Sequence, residues 1–266
     1  MSSPQEHNRK AWDARVRNRA CFTRPARDEE FRDPLATVDA SGWLGSSIAG
    51  QRLLCLAGGG GRQSALYAAA GAHVTVVDIS AEMLALDRLV AAERGLEVRT
   101  VEASMDDLSM LPPASFEIVV QPVSTCYVPD VSAVYRQVAR IMVPGGLYIS
   151  QHKQPVSLQA TVEPSQRGYE IAEPYYRRGP LPPVPGSAHR EGGTLEFLHR
   201  WEELLGGLCR SGFLIEDVIE PLLADEQAEI GSFGHRSRYV APYIRIKARR
   251  AASAQTASAG AKVWIP

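Results

Sequence analysis

The sequence predicts an α/β protein built on a doubly wound, mostly parallel β-sheet. Between residues 52 and 151, short apolar runs alternate with segments of helical period, which is the pattern of βαβ units on a parallel sheet. The first apolar run leads into four consecutive glycines and then into a helical segment. A strand, a glycine turn and a helix in that order are typical of a site where such a sheet binds a nucleotide.

Five strands are predicted in this region, each apolar enough to be covered by helices on both faces. They span 52–57, 73–78, 97–103, 116–121 and 146–151. Apolar residues recur at helical spacing over 64–70, 81–93 and 131–142, which predicts three connecting helices. Ser80 is a suitable N-cap for the second helix, and Pro144-Gly145-Gly146 is expected to end the third helix and turn into the fifth strand.

The flanking segments are predicted to add a cap, a lid and two more strands. Residues 1–45 are expected to form an N-terminal helical cap, in which Trp12, Val16 and Ala20 suit a helix that docks either over a ligand or on ordinary surface. Residues 155–193 hold seven of the 18 prolines and three of the nine tyrosines without clear periodicity, which favours a lid or insert in a main domain of residues 46–250. A helix over 195–211, strands over 213–220 and 239–247, and a flexible tail over 251–266 complete the prediction.

Composition narrows the function classes. With 266 residues, 45% of them hydrophobic, the chain can bury one substantial core. Its 29 Lys+Arg and 30 Asp+Glu give a net charge of -1, so there is no general attraction for nucleic acid. The four cysteines form no metal-binding or disulfide pattern, and no apolar stretch suits a signal peptide or a membrane span. We expect a soluble cytoplasmic protein that acts on a small molecule without a metal; its oligomeric state is not predicted.

The glycine loop at 58–61 and Asp78 are the most informative residues. Glycine lets the backbone approach a bound nucleotide, and a carboxylate at the end of the second strand can accept hydrogen bonds from both ribose hydroxyls. One alternative is a glycine-rich turn that only packs a helix on a strand, with Asp78 capping the next helix. Another is a nicotinamide dinucleotide site, because Gly59-x-Gly61-x-x-Ser64 nearly matches that fingerprint.

The glycine segment resembles the first motif of class I S-adenosylmethionine-dependent methyltransferases, which usually has an acidic residue, an apolar residue and then Gly-x-Gly-x-Gly. In this register Cys55 stands where the family has its acid, and Ala57 replaces the first glycine. Gly59 and Gly61 match the other two. Because that acid commonly helps to orient the amino acid portion of the cofactor, the resemblance implies that another group does so here, from the N-terminal segment or through water.

Later motifs extend the resemblance to about residues 50–250 and distinguish a methyltransferase from a dehydrogenase. Ser104 stands where the acceptor of the adenine amino group is expected; its hydroxyl can accept that bond, or Asp106 can substitute, and the backbone amide of Met105 is unaffected. The segments that resemble the fourth strand, the approach to the fifth strand and the C-terminal helix and strand are 116–121, 140–146, 199–205 and 211–215, with Glu220-Pro221 following.

The resemblance implies a Rossmann-like sheet of about seven strands with one antiparallel strand, S-adenosylmethionine as cofactor, and methyl transfer to a small-molecule acceptor. The cofactor site is then expected to comprise Ala57, Gly58, Gly59, Gly61, Asp78, Ile79, Met83, Ser104, Met105, Asp106 and Gln121. If the acceptor needs a base, the candidates are His152, Tyr127 and His199, each of which has a purely structural alternative. A non-catalytic S-adenosylmethionine-binding regulator stays open because of Cys55 and Ser104, and a nicotinamide-dependent oxidoreductase is less favoured.

Overall fold

A seven-stranded sheet forms the centre of the described protein. The computed structural model describes residues 3–184, 187 and 189–252. The strands are β1 (Arg52–Leu56), β2 (His73–Asp78), β3 (Val98–Glu102), β4 (Phe116–Gln121), β5 (Met142–Lys153), β6 (Phe213–Ile219) and β7 (Tyr243–Arg250). Their order is β3-β2-β1-β4-β5-β7-β6, and β7 runs antiparallel to both its neighbours. This confirms the predicted doubly wound sheet with one antiparallel strand.

Helices cover both faces of the sheet. They are α1 (Pro4–Arg17), α2 (Pro34–Val38), α3 (Gln63–Ala69), α4 (Ala81–Arg94), α5 (Val131–Ile141), α6 (Pro155–Gln159), α7 (Gly207–Arg210) and α8 (Phe233–Ser237). A π-helical turn over Glu202–Gly206 precedes α7, and short 3-10 turns lie at Asp28–Arg32 and Thr125–Tyr127. Ser80 caps α4 as predicted, since its hydroxyl accepts the Met83 N–H at 3.1 Å.

The core lies in two layers because the side chains of a strand alternate between faces. Leu54 and Leu56 of β1 belong to the cluster packed with α5 and α7, whereas Leu53 and Cys55 belong to the cluster packed with α3 and the N-terminal segment. All four are fully buried. Burial on both faces explains why the central strands are continuous apolar runs in the sequence.

The structure corrects three predicted boundaries. The helix predicted over 195–211 is absent from residues 195–200, because that segment is extended: Phe197 N–H donates to the Cys126 carbonyl at 2.7 Å and Leu181 N–H donates to the Glu196 carbonyl at 2.7 Å. The strand predicted over 239–247 begins at Tyr243, since Val240 N–H still donates to the Arg236 carbonyl after α8. The fifth strand begins at 142 and includes the Pro-Gly-Gly segment, where its pairing with β4 shifts register.

Parts of the predicted tail and lid lie outside the residues that the structure describes. Of the predicted flexible tail over 251–266, residues 253–266 lie outside the described part of the chain, as do 185, 186 and 188 of the predicted lid. The lid and the proposed domain boundaries therefore stay predictions. Within residues 3–184, 187 and 189–252, no helix has the length and apolar character needed to cross a membrane.

Candidate functional site

A cavity of about 600 Å³ opens at the carboxyl ends of the strands. It lies where β1 and β4 are neighbours and the strand order reverses, which is the usual ligand position in a doubly wound sheet. Nine residues of the expected cofactor set line it: Ala57, Gly58, Gly59, Asp78, Ile79, Met83, Ser104, Met105 and Gln121. Gly61 and Asp106 belong to the expected set but do not line the cavity. We call the wall formed by these nine residues the cofactor end.

Gly59 has no room for a side chain. A Cβ atom there would lie 2.8 Å from the Met83 Cβ and 3.0 Å from the Asp78 Oδ2. Gly59 also lines the cavity, so the loop contacts that space there without a side chain. Gly61 has a different role, because a Cβ there would lie 2.8 Å from the Leu86 carbonyl oxygen. It packs the loop against α4 rather than facing a ligand.

Asp78 is oriented at the end of β2 by two backbone donors. Its Oδ2 accepts the Gly59 N–H at 3.0 Å, and its Oδ1 accepts the Ser80 N–H at 2.9 Å. Burial raises the pKa of this carboxyl to about 6, although the backbone donors oppose the rise. Each carboxylate oxygen keeps lone-pair capacity for a further donor, so Asp78 can accept two hydroxyls from the cavity.

Asp87 is a site-forming residue that the sequence analysis missed. Its buried carboxylate accepts the N–H groups of Gly60 and Gly61, each at 3.0 Å, and the hydroxyl of Ser64. Burial raises the pKa of Asp87, and these three donors lower it in part. Its signal was present in the sequence, because an aspartate on the apolar face of the helix predicted over 81–93 needs buried donors.

Ser104 lines the cofactor end and is hydrogen-bonded to a polar group behind it. The Ser104 hydroxyl donates to Asp106 Oδ1, and Gln5 Nε2 of α1 donates to Asp106 Oδ2 at 2.9 Å. Since the Ser104 hydrogen is directed to Asp106, the lone pairs of the Ser104 oxygen are left to accept from the cavity. Asp106 thus supports Ser104 from behind.

Helix α1 covers the cavity and is fastened there. The Asn8 side chain donates to the carbonyls of Tyr127 (2.9 Å) and Leu195 (3.0 Å) and accepts the Leu195 N–H (2.7 Å). The Ser80 hydroxyl donates to Asp13 at 2.6 Å. Trp12 lines the cavity, in agreement with a helix docked over a ligand, whereas Ala20 lies beyond the end of α1.

Cys55 does not reach the cavity. Its side chain is 0% exposed, and burial raises the pKa of its thiol well above the usual value. A neutral thiol in the core cannot replace the carboxylate that the family usually has at this position. Phe22 and Arg24 of the N-terminal segment line the cavity instead, in the region from which the sequence analysis expected the substitute.

The two histidines considered as bases are placed away from the cavity lining. The ring of His152 is hydrogen-bonded to Thr125 Oγ1 and Ser150 Oγ, both at 2.8 Å, and burial lowers its pKa to about 3. His199 Nε2 donates to the carbonyls of Thr125 (2.9 Å) and Val128 (3.0 Å), and burial lowers its pKa as well. Both rings are satisfied inside the protein, which corrects the expectation that they face an acceptor.

Tyr127 is the one of the three proposed bases that lines the cavity. Its ring packs edge-on against Trp12 with a centroid separation of 5.7 Å. Burial raises the pKa of its hydroxyl well above the ordinary value. At neutral pH this hydroxyl is therefore protonated and serves as a hydrogen-bonding group.

The cavity continues away from the glycine loop into a mostly apolar region, the acceptor end. Its walls come from the N-terminal segment, α3, β5 and β7, and its residues are Trp43, Leu44, Tyr67, Ile149, Gln151, Tyr243 and Arg245. An apolar pocket with a few placed polar groups is the usual form of a small-molecule site. No local sequence pattern joins these residues, and the sequence analysis identified none of them.

The fold and the cavity define an α/β protein with a small-molecule cavity at the topological switch point of its sheet. A family profile described as "Methyltransferase domain" matches residues 54–150. Over 235 residues the chain is 33% identical to the "Uncharacterized methyltransferase YbaJ" of Bacillus subtilis (strain 168), a match that covers 83% of this chain and 91% of that protein. The chain belongs to the class I S-adenosylmethionine-dependent methyltransferases.

Two further similarities differ in extent. A crystal structure of an S-adenosylmethionine dependent methyltransferase from Mesorhizobium loti superposes with a TM-score of 0.63 at 26% identity, covering 77% of this chain and 93% of that one. The ubiquinone biosynthesis O-methyltransferase of Xanthomonas euvesicatoria pv. vesicatoria (strain 85-10) is 36% identical over 104 residues, which is 39% of this chain and 44% of that enzyme. The cofactor is S-adenosylmethionine, and the nicotinamide alternative is set aside.

Replacing Ala57 with glycine is expected to stabilise the protein. Ala57 has φ +49°, a left-handed conformation that costs an alanine about 1 kcal/mol or more and a glycine little. After the larger unfolded-state entropy of glycine is counted, we expect a gain of about 0.5 kcal/mol in the free energy of unfolding. Urea denaturation measures it, with Ala68→Gly in α3 as a control that should lose about 1 kcal/mol. Destabilisation by Ala57→Gly would contradict the strain.

Proposed function

We propose that the protein transfers the methyl group of S-adenosylmethionine to a small-molecule acceptor bound at the acceptor end. The observation that carries this proposal is the continuity of the cavity, because the glycine loop with Asp78 and the apolar wall at Trp43 and Tyr243 line the same space. A regulator that only bound the cofactor would have no need of a second, apolar compartment. The name of the partly matching Xanthomonas enzyme supports an acceptor that is a small molecule.

Each part of the adenosine can be assigned to residues of the cofactor end. Asp78 would accept both ribose hydroxyls, and Ser104 with the backbone N–H of Met105 would hold the adenine edge. Ile79 and Met83 would pack beside the adenine ring. The side-chain-free backbone at Gly59 would lie against the adenosine, whereas a side chain there would push Met83 and Asp78 out of position.

Bound S-adenosylmethionine supplies an electrophilic methyl group on a sulfonium, so the protein needs no nucleophile of its own. Its contribution is to hold the acceptor in line with that methyl and to exclude water. Helix α1, fastened through Asn8, would exclude water from above. Tyr127 would position the acceptor with its protonated hydroxyl rather than remove a proton.

Glu191 also lines the cavity, and we considered its carboxylate as a base for the acceptor. Burial alone would raise its pKa, but the ammonium of Lys153 beside it prevails and lowers the pKa below its ordinary value. Glu191 is therefore ionised at every physiological pH. A permanently ionised carboxylate of this kind is a weak base, so we assign it an electrostatic role.

Ligand binding and turnover test the proposal in sequence. S-adenosylhomocysteine and S-adenosylmethionine should raise the melting temperature by mass action, while NAD should not. The protein should then release S-adenosylhomocysteine from S-adenosylmethionine when a library of small phenols, acids and amines is added. Stabilisation by both adenosyl ligands without turnover on any library member would favour the non-catalytic regulator instead.

Binding of S-adenosylhomocysteine is expected to weaken at acid pH. The pKa of Asp78 is about 6 in the free protein, and the ionised form is the one that accepts two ribose hydroxyls. As pH falls from 7 to 5 the carboxylate becomes mostly protonated, so the dissociation constant should rise about tenfold. Calorimetry at pH 5, 6, 7 and 8 measures this, and the Asp78→Asn protein should show a flat profile. A flat profile in the unaltered protein would remove the ribose role.

A further inference from the structure

Arg245 on β7 is an unusual charged group for the acceptor end. Its Nε donates to Gln151 Oε1 at 2.7 Å, across a register pair of β5 and β7. The side chain is half-buried, and among the described residues no carboxylate lies within 4.0 Å of its guanidinium. A guanidinium stays charged at any physiological pH, and taking a charge out of water without a partner is costly.

Apart from Arg24, the other charged groups that line the cavity have protein partners or belong to the cofactor end. Arg62 is paired with Glu30, and Glu191 is paired with Lys153. Asp39 accepts two backbone donors, the N–H of Trp43 at 2.9 Å and of Leu44 at 2.7 Å. Asp78 belongs to the cofactor end, and Arg24 is exposed on the N-terminal segment. Arg245 is therefore the cation of the acceptor end that retains binding capacity.

The surroundings of Arg245 are suited to one anionic group on an apolar body. Trp43, Ile149 and Tyr243 supply apolar and aromatic surface beside it. Gln151 orients the guanidinium through its Nε. The two Nη groups then remain free to donate, and together they can bind a carboxylate through two hydrogen bonds. The Tyr67 hydroxyl belongs to the same end of the cavity.

We propose that Arg245 binds a carboxylate of the methyl acceptor, so that the substrates of this protein are small acids with an aromatic or long aliphatic body. That the bound acid is the methyl acceptor rests on the proposed function. That Arg245 binds an anion rests only on the geometry around its guanidinium. One uncommitted guanidinium matches a single negative charge, which favours a carboxylate over a phosphate dianion. Gln151 acts as the positioning residue that sets the fork.

The test uses matched ligands that differ in charge alone. The full-length protein saturated with S-adenosylhomocysteine is titrated calorimetrically with 4-hydroxycinnamate against 4-hydroxycinnamamide, and with octanoate against octanamide. At least one acid should bind about tenfold or more tightly than its amide, because a charge-assisted bidentate pair replaces a neutral contact. Phenyl phosphate, as the dianion arm, should bind more weakly than the better acid.

Substitutions at Arg245 test whether this residue causes the preference for an acid over its amide. Arg245→Met should abolish the difference between acid and amide, and Arg245→Lys should retain part of it, while both keep the S-adenosylhomocysteine affinity of the unaltered protein. Arg249→Met, on the same strand but paired with Glu216 away from the cavity, should keep the full preference. A preference that survives Arg245→Met overturns the proposal, and so does the absence of acid binding in the unaltered protein. Acid binding at Arg245 without methyl transfer to any acid would instead count against the proposed function.

Discussion

Replacing Asp78 with alanine is expected to weaken S-adenosylhomocysteine binding by about 1 to 3 kcal/mol, the value of a charge-assisted hydrogen-bonding group in a buried site. Asp78 is 7% exposed, and the two backbone N–H groups of Gly59 and Ser80 aim it at the cavity. The alanine variant should also lose some stability, because the N–H groups of Gly59 and Ser80 lose their acceptor. Desolvation of the carboxylate, which raises its pKa, offsets part of that loss.

The measurement is calorimetric titration of S-adenosylhomocysteine at pH 7.5. Asp78→Asn is the matched variant: its amide oxygen can keep one acceptor, so its affinity should lie between those of Asp78→Ala and the unaltered protein. A melting temperature within a few degrees of the unaltered protein would show that the alanine variant is folded. Equal affinity of all three proteins would mean that the ribose is held elsewhere.

Replacing Asp87 with alanine is expected to cost about 3 kcal/mol of unfolding free energy, since it leaves three buried donors without their acceptor. Those donors are the N–H groups of Gly60 and Gly61 and the hydroxyl of Ser64. The carboxylate ties the glycine loop to α4, so its loss should also loosen the loop and weaken S-adenosylhomocysteine binding, although Asp87 does not line the cavity.

Urea denaturation and calorimetry together test the role of Asp87. Ser64→Ala serves as the control, because it removes one hydrogen bond to Asp87 and leaves both loop contacts in place; its cost should be about 1 kcal/mol with little change in affinity. If Asp87→Ala unfolds at the same urea concentration as Ser64→Ala and binds the ligand equally well, the loop does not depend on this carboxylate.

Much of the sheet was predictable because its strands are marked by features that lie within a few residues of one another in the sequence. The strands that are buried on both faces are short apolar runs, and the glycine loop and Asp78 mark the ends of β1 and β2. Where tertiary contacts override local pattern, the prediction failed. Residues 195–200 have helical spacing but are drawn into extended contacts with Asn8 and Cys126.

The candidate site divides in the same way. The cofactor end is formed mainly by residues next to strand ends, so sequence order identified most of it. The acceptor end joins Trp43, Gln151 and Arg245 through the fold, and no spacing in the chain indicates that they meet. His152 and His199 were attractive as titratable groups near strand and helix ends, but their rings are directed into buried hydrogen bonds that the sequence does not show.

A crystal structure of the protein with S-adenosylhomocysteine is the most direct test of the central claim. We expect the adenosine to lie against Gly58 and Gly59, with both ribose hydroxyls within hydrogen-bonding distance of the Asp78 carboxylate and the adenine beside Ile79 and Met83. The homocysteine portion should extend toward the acceptor end. A ligand whose sugar is held by other residues, with Asp78 turned away from it, would contradict the account.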